Sequence, residues 1–108
     1  MSIIGMIKKE ILSWEGVTEK PHRFGGIEFN YNNKELGHIH GDTLADLPFP
    51  KSIRDDILKK GLAQPHHVLP DSGWISYYIK SKDDITLVIH LFRLQYDRLV
   101  KKLDRNQS

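Results

Sequence analysis

Residues 26–40 read GIEFNYNNKELGHIH. Apolar and polar side chains alternate up to Tyr31, the period of a half-buried strand. Asn32 and Asn33 suit a two-residue turn, and Lys34 to His40 returns as the second strand of a hairpin. With Tyr31 opposite Lys34, an unbroken register sets Phe29 against Leu36, Ile27 against His38 and Gly25 against His40. Ile27, Phe29 and Leu36 then form the apolar face, and strand alternation turns His38 and His40 to the same side as the core. The two imidazoles are expected at the border of the hydrophobic layer, beside the bare backbone of Gly25 and Gly26.

Working outward from the hairpin, Ser2 can cap a first helix. Its Ile3, Ile4, Ile7, Ile11 and Trp14 fall on one face at the helical period, and Gly16 is positioned to end it. On the other side, Asp46-Leu-Pro-Phe-Pro50 reads as a stiff connector, because proline fixes φ and pushes its predecessor into extended conformations. Ser52 with Asp55 resembles a capping box for a short helix that carries Ile53, Ile57 and Leu58 and stops at Gly61. A loop from Gln64 to Gly73 feeds a strand over Trp74 to Lys80. Ser81 and Asp84 then cap a long last helix with an apolar stripe of Ile85, Val88, Ile89, Phe92, Tyr96, Leu99 and Leu103. Leu87, Leu91 and Leu94 lie off that stripe, so the first helix or a second subunit should cover them. The order helix-hairpin-helix-strand-helix predicts an α+β fold, a single domain over residues 1–108 with a small, mostly antiparallel sheet backed by helices.

The bulk numbers bound the function. A 108-residue chain that is 39% hydrophobic and 28% charged fits one soluble globular domain. The absence of cysteine excludes disulfides, thiolate nucleophiles and thiolate metal sites. Any metal must therefore be held by histidine and carboxylate, a donor set suited to zinc, nickel, copper or iron(II). A net charge of +2 gives little pull on nucleic acid, which is not expected as a partner. No apolar run reaches the length of a membrane span, and the amino terminus lacks a signal-peptide pattern, so the expectation is a cytoplasmic protein.

The motifs HRFGGIEF at 22–29, ELGHIHGD at 35–42, DLPFP at 46–50 and HHVLPDSGW at 66–74, with LFRLQY at 91–96, resemble the luciferase-domain family of small proteins. The resemblance runs from about Val17 to Tyr96. It implies a shared fold and carries no catalytic role onto numbered positions.

The chemistry concentrates in GHIHGD at 37–42. Side chains two apart on a strand share a face about 6.6 Å apart, and two imidazoles at that spacing can converge on one ion. A third ligand is then required, with His66, His67, Asp42, Asp71 and, less directly, His22 as candidates. The expected metal set is His38, His40 and His66, for a divalent transition metal. A broader ligand pocket takes in His38, His40, Asp42, His66, His67 and Asp71, with Arg23 available to an anion. His38 or His40 could also act as a general base oriented by Asp42 or Asp46. Asp71-Ser72-Gly73 is explained fully as a turn, which removes Ser72 as a nucleophile. Two readings stand. The preferred one is a small binding domain whose His/Asp-lined polar pocket holds a small-molecule ligand or ion. The other is an interaction module, a homodimer or a docking domain, that uses apolar surface on the sheet or the last helix. The residues favour no reaction class.

Overall fold

The structure, a computed structural model, describes residues 2–22, 25–41 and 43–107. Helix α1 (Ile3–Leu12) leads into strands β1 (Val17–Pro21), β2 (Ile27–Tyr31), β3 (Lys34–His40) and β4 (Leu44–Pro48). Helix α2 (Lys51–Lys59), the two-residue strand β5 (Gln64–Pro65) and strand β6 (Trp74–Tyr78) follow. A 3-10 turn at Lys82–Asp84 then opens helix α3 (Ile85–Gln107). All strands pair antiparallel in one sheet of order β1-β2-β3-β4-β6-β5. The α+β class holds, with three strands added to the expected order.

Local chemistry explains the ends of the elements. The Ser2 hydroxyl accepts the Gly5 N–H at 3.0 Å and satisfies one of the orphan donors of α1. The Ser81–Asp84 capping box is present, and the Asp84 carboxylate also accepts the Lys80 N–H and the Tyr77 hydroxyl. Asn32 and Asn33 take φ of 51° and 66°, the paired left-handed geometry of a tight hairpin turn. Helix α2 departs from expectation: it starts at Pro50 with no side-chain cap, so Ser52 and Asp55 form no capping box there. Pro50 can serve as a start because the first helical N–H groups need no intrahelical partner. Gly61 ends the helix at φ +71°, and the Leu62 N–H bonds back to the Ile57 carbonyl.

The core lies between the sheet and α1 with α3. Ile7 and Ile11 of α1, Val88, Leu91 and Phe92 of α3, and Phe29, Leu36, Leu47 and Ile75 of the sheet are all fully buried. Each such side chain contributes about 1.5–3 kcal/mol of transfer free energy. Leu91, off the main stripe of α3, is thus covered within the chain, while Leu94 stays 37% exposed.

The connector expected at Asp46–Pro50 is in fact largely strand. Leu44–Pro48 is central in the sheet, paired with β3 on one side and β6 on the other. Pro48 is tolerated because it closes the strand. The strand expected from Trp74 to Lys80 ends at Tyr78.

The hairpin register also differs, in the way that decides the site. Tyr31 faces Lys34 and Asn30 faces Glu35, but Phe29 then faces Gly37 and Ile27 faces Ile39. Leu36 is therefore the extra residue of a β-bulge, which reverses the facing of everything after it. Gly37 and Ile39 turn to the helices, and His38 and His40 turn to the opposite face of the sheet, away from the core. Gly37 shows why the reversal is tolerated. A Cβ there would lie 2.9 Å from the Phe92 ring, 2.7 Å from the Asp46 carbonyl oxygen and 3.0 Å from Leu47 Cγ. The missing side chain is the seat of Phe92.

Candidate functional site

The face of the sheet turned away from the helices is polar. Glu28 of β2, Glu35, His38 and His40 of β3, Asp46 of β4 and Trp74 of β6 line a cavity of about 830 Å³. Its far wall is the segment between β5 and β6, which brings His66, His67, Val68 and Leu69 over the sheet. Arg54 of α2 holds this segment by donating to the Pro70 carbonyl, while the Ser72 hydroxyl donates to the Leu69 carbonyl at 2.7 Å. Ser72 is a turn residue.

Asp46 is the centre. Its side chain has no exposed surface, and Oδ1 accepts the Ser76 hydroxyl at 2.6 Å. Around Oδ2 stand four imidazole Nε2 atoms: His67 at 3.2 Å, His38 at 3.3 Å, His40 at 3.4 Å and His66 at 3.7 Å. A carboxylate offers about four lone-pair sites over its two oxygens, and one oxygen is already engaged. Four imidazoles exceed what a single oxygen can accept as hydrogen bonds.

The outer nitrogens distinguish the four rings. Nδ1 of His38 lies 2.7 Å from Glu35 Oε2, so it donates to that carboxylate and leaves Nε2 to serve Asp46. Burial pulls the His38 pKa down, but the hydrogen bonds to Asp46 and Glu35 outweigh it and hold it at about 9. His38 is thus an imidazolium between two carboxylates, with the His22 ring stacked on it at 3.9 Å. Burial likewise opposes ionisation of Asp46, yet hydrogen bonds from His38, Ser76 and His67 keep it well below the usual carboxylate range. His40 is held below the ordinary histidine range by burial and by the charge on His38, and so presents a neutral ring.

His66 differs in kind. Its Nδ1 accepts the backbone N–H groups of Val68 at 3.1 Å and Leu69 at 3.0 Å. Nδ1 must then carry the lone pair, so Nε2 carries the proton. A ring in that tautomer points a donor, rather than a ligand atom, at the cluster.

Of the residues singled out by sequence, the structure brings His38, His40, His66 and His67 together. Asp71 is exposed and stands outside the residues lining the cavity. Arg23 and Asp42 lie outside the described residues. Asp46 is expected from the sequence only as one of two acids that could orient a histidine, while Glu28, Glu35 and Ser76, which also stand at the site, have no expected role there. The signal was there: Asp46, Ser76 and Trp74 fall on one face once β4 and β6 are paired, with Asp46 opposite both His38 and Ser76.

Together these features define a small antiparallel α+β domain with a buried His/Asp cluster on the open face of its sheet. The sequence model of the Luciferase domain family matches residues 33–95, more than half of the chain, and the protein belongs to that family. No curated protein and no solved structure matches the chain. No helix of the described residues is long and apolar enough to cross a membrane.

Proposed function

We propose that the protein is a small binding domain whose cavity holds one divalent transition-metal ion through Nε2 of His38, His40 and His67 and Oδ2 of Asp46. One observation carries this reading: the three nitrogens stand 3.2–3.4 Å from the same carboxylate oxygen. A tetrahedral ion with bonds of about 2.0–2.1 Å has ligand–ligand edges of roughly 3.3–3.4 Å. The spacing of the three nitrogens from the oxygen is that of coordination edges. The ligand atoms of His38, His40 and Asp46 lie within 4.8 Å of one another, and Asp46 belongs to a second such group with His66 and His67. A cation beside Oδ2 would be held by the first group and would draw in His67 from its loop as the fourth ligand.

The surroundings fit the same role. Metal-bound histidine usually donates its other ring nitrogen to a carboxylate, as His38 does to Glu35. Binding would displace the His38 Nε2 proton, so affinity should fall with acid. The set differs from His38, His40 and His66 in exchanging His66 for His67 and adding Asp46, because the His66 tautomer points a proton inward. A His₃Asp donor set suits zinc, with nickel and cobalt as usable probes.

The test is thermal unfolding of tag-free protein with and without zinc, nickel or cobalt, together with elemental analysis. One equivalent bound, with a stabilisation of about 2.7 kcal/mol at free metal 100-fold above Kd, is expected. No bound metal and no shift would refute the reading.

A further inference from the structure

Asp46 uses its two carboxylate oxygens differently. Oδ2 faces the imidazoles, while Oδ1 accepts the Ser76 hydroxyl at 2.6 Å. Asp46 and Ser76 stand opposite each other on β4 and β6, and both are fully buried. Ser76 is also paired with Gln64 of β5, so the sheet fixes its backbone from both sides. An ionised carboxylate only accepts, so the single hydroxyl proton of Ser76 is committed to Oδ1. This matters for any ion at Oδ2, because the number of carboxylate oxygens that reach an ion sets its coordination number. Held through one oxygen, Asp46 completes a tetrahedron with His38, His40 and His67, the geometry of closed zinc sites. Held through both, it makes a five-coordinate site. Zinc gains little from the added oxygen, whereas manganese(II), an ion of oxygen-rich octahedral sites, gains more.

On the reading that His38, His40, His67 and Asp46 hold an ion, we propose that Ser76 is a positioning residue that keeps Asp46 bound through one oxygen and so selects zinc over manganese(II). Its hydroxyl draws Oδ1 toward β6, away from the ion, and withdraws electron density from that oxygen as a second donor. Removing the hydroxyl leaves Oδ1 buried without this partner, which is costly for a charged acceptor. Rotation of the carboxylate toward the ion relieves that cost and adds a fifth ligand. Specificity is then set by a residue that touches no ion and acts through Asp46 alone.

The experiment compares tag-free wild type, Ser76→Ala and Ser76→Thr by cobalt(II) absorption and by competition titration with zinc and manganese(II). Ser76→Ala is expected to bind one cobalt with a visible absorption several-fold weaker than that of the wild type, the signature of a fifth ligand. Its ratio of zinc to manganese affinity should fall about tenfold, within the range seen for outer residues of metal sites. Ser76→Thr keeps the hydroxyl and should keep the wild-type spectrum and ratio. A serine with a merely structural role would weaken both metals alike and leave the cobalt spectrum unaltered. X-ray absorption at the zinc edge of the wild type requires no variant to fold, and should count four nitrogen and oxygen neighbours at about 2.0–2.1 Å. A fifth neighbour in the wild type, an unaltered spectrum or ratio in Ser76→Ala, or the Ser76→Ala spectrum in Ser76→Thr would each overturn the proposal while leaving an ion on the four residues. Failure of the wild type to take up zinc or cobalt would overturn both.

Discussion

Nε2 of His67 lies 3.2 Å from Oδ2 of Asp46 across 21 residues of chain, joining a surface loop to the middle strand of the sheet. The contact closes the cluster over the polar face. Because the loop approaches from outside the sheet, the site is assembled by tertiary packing, and its parts can be removed one at a time.

Replacing His67 and His66 separately should give different results. On the proposed coordination His67→Ala removes an ion ligand and should weaken zinc binding by well over tenfold. His66→Ala removes a neighbouring donor and should cost about tenfold or less, within the range seen for outer residues of metal sites. Competition titration with a chromogenic chelator measures both. Equal losses would show that the tautomer argument for His66 is mistaken.

Arg54 should influence the site from a distance. Its guanidinium ties Pro70 to α2 and so fixes the loop that carries His66 and His67. Arg54→Ala is expected to weaken zinc binding by about tenfold, as the loop's ordering entropy falls on binding instead of folding. Calorimetry should show a less favourable entropy. Unchanged zinc affinity and entropy would show that the loop needs no such anchor.

The metal-free protein should have a stability optimum near neutral pH. His38 has a folded pKa of about 9, above its ordinary 6.5, so its contribution is complete below about pH 6.5 and is lost as pH rises through about 9. Asp46 is shifted down, so its contribution is present above about pH 4 and is lost in acid. His40 and His66, also shifted down, add stability as pH rises toward about 6.5. Urea unfolding in the presence of a chelator should show the alkaline decline in the wild type and a much smaller one in His38→Gln. Parallel profiles would remove His38 as its source.

Gly37→Ala should destabilise the fold by about 1–3 kcal/mol, the usual cost of overpacking. The added methyl would meet backbone at 2.7 Å and the Phe92 ring at 2.9 Å. Chemical denaturation measures the loss. A neutral substitution would mean that the sheet and α3 part more easily than this packing implies.

Much of the frame was legible because its signals are local. The Ser2 cap, the Asn32–Asn33 turn and the Ser81–Asp84 box each act within four residues, and the helical stripes repeat often enough to read. The bulge was not legible, since Gly37 has no side chain to betray which way it faces. Strand β4 was hidden for a different reason. Its middle residues are buried on both faces, one of them is an aspartate, and prolines follow closely, so pattern and propensity both pointed to a loop. Strand β1, at the sheet edge, is exposed from Thr18 to Pro21 and shows no alternation. The same bulge moved His38 and His40 from the core side to the open side. The histidines were thus found by residue type, while their facing and the role of Asp46 required the sheet.

Cobalt(II) reports directly on the proposed coordination. Added to tag-free protein, one equivalent of cobalt should produce the intense visible absorption of a tetrahedral site, which zinc then displaces and which His67→Ala and Asp46→Asn each abolish. A weak octahedral spectrum, or a tetrahedral one that survives both substitutions, would contradict coordination by His38, His40, His67 and Asp46.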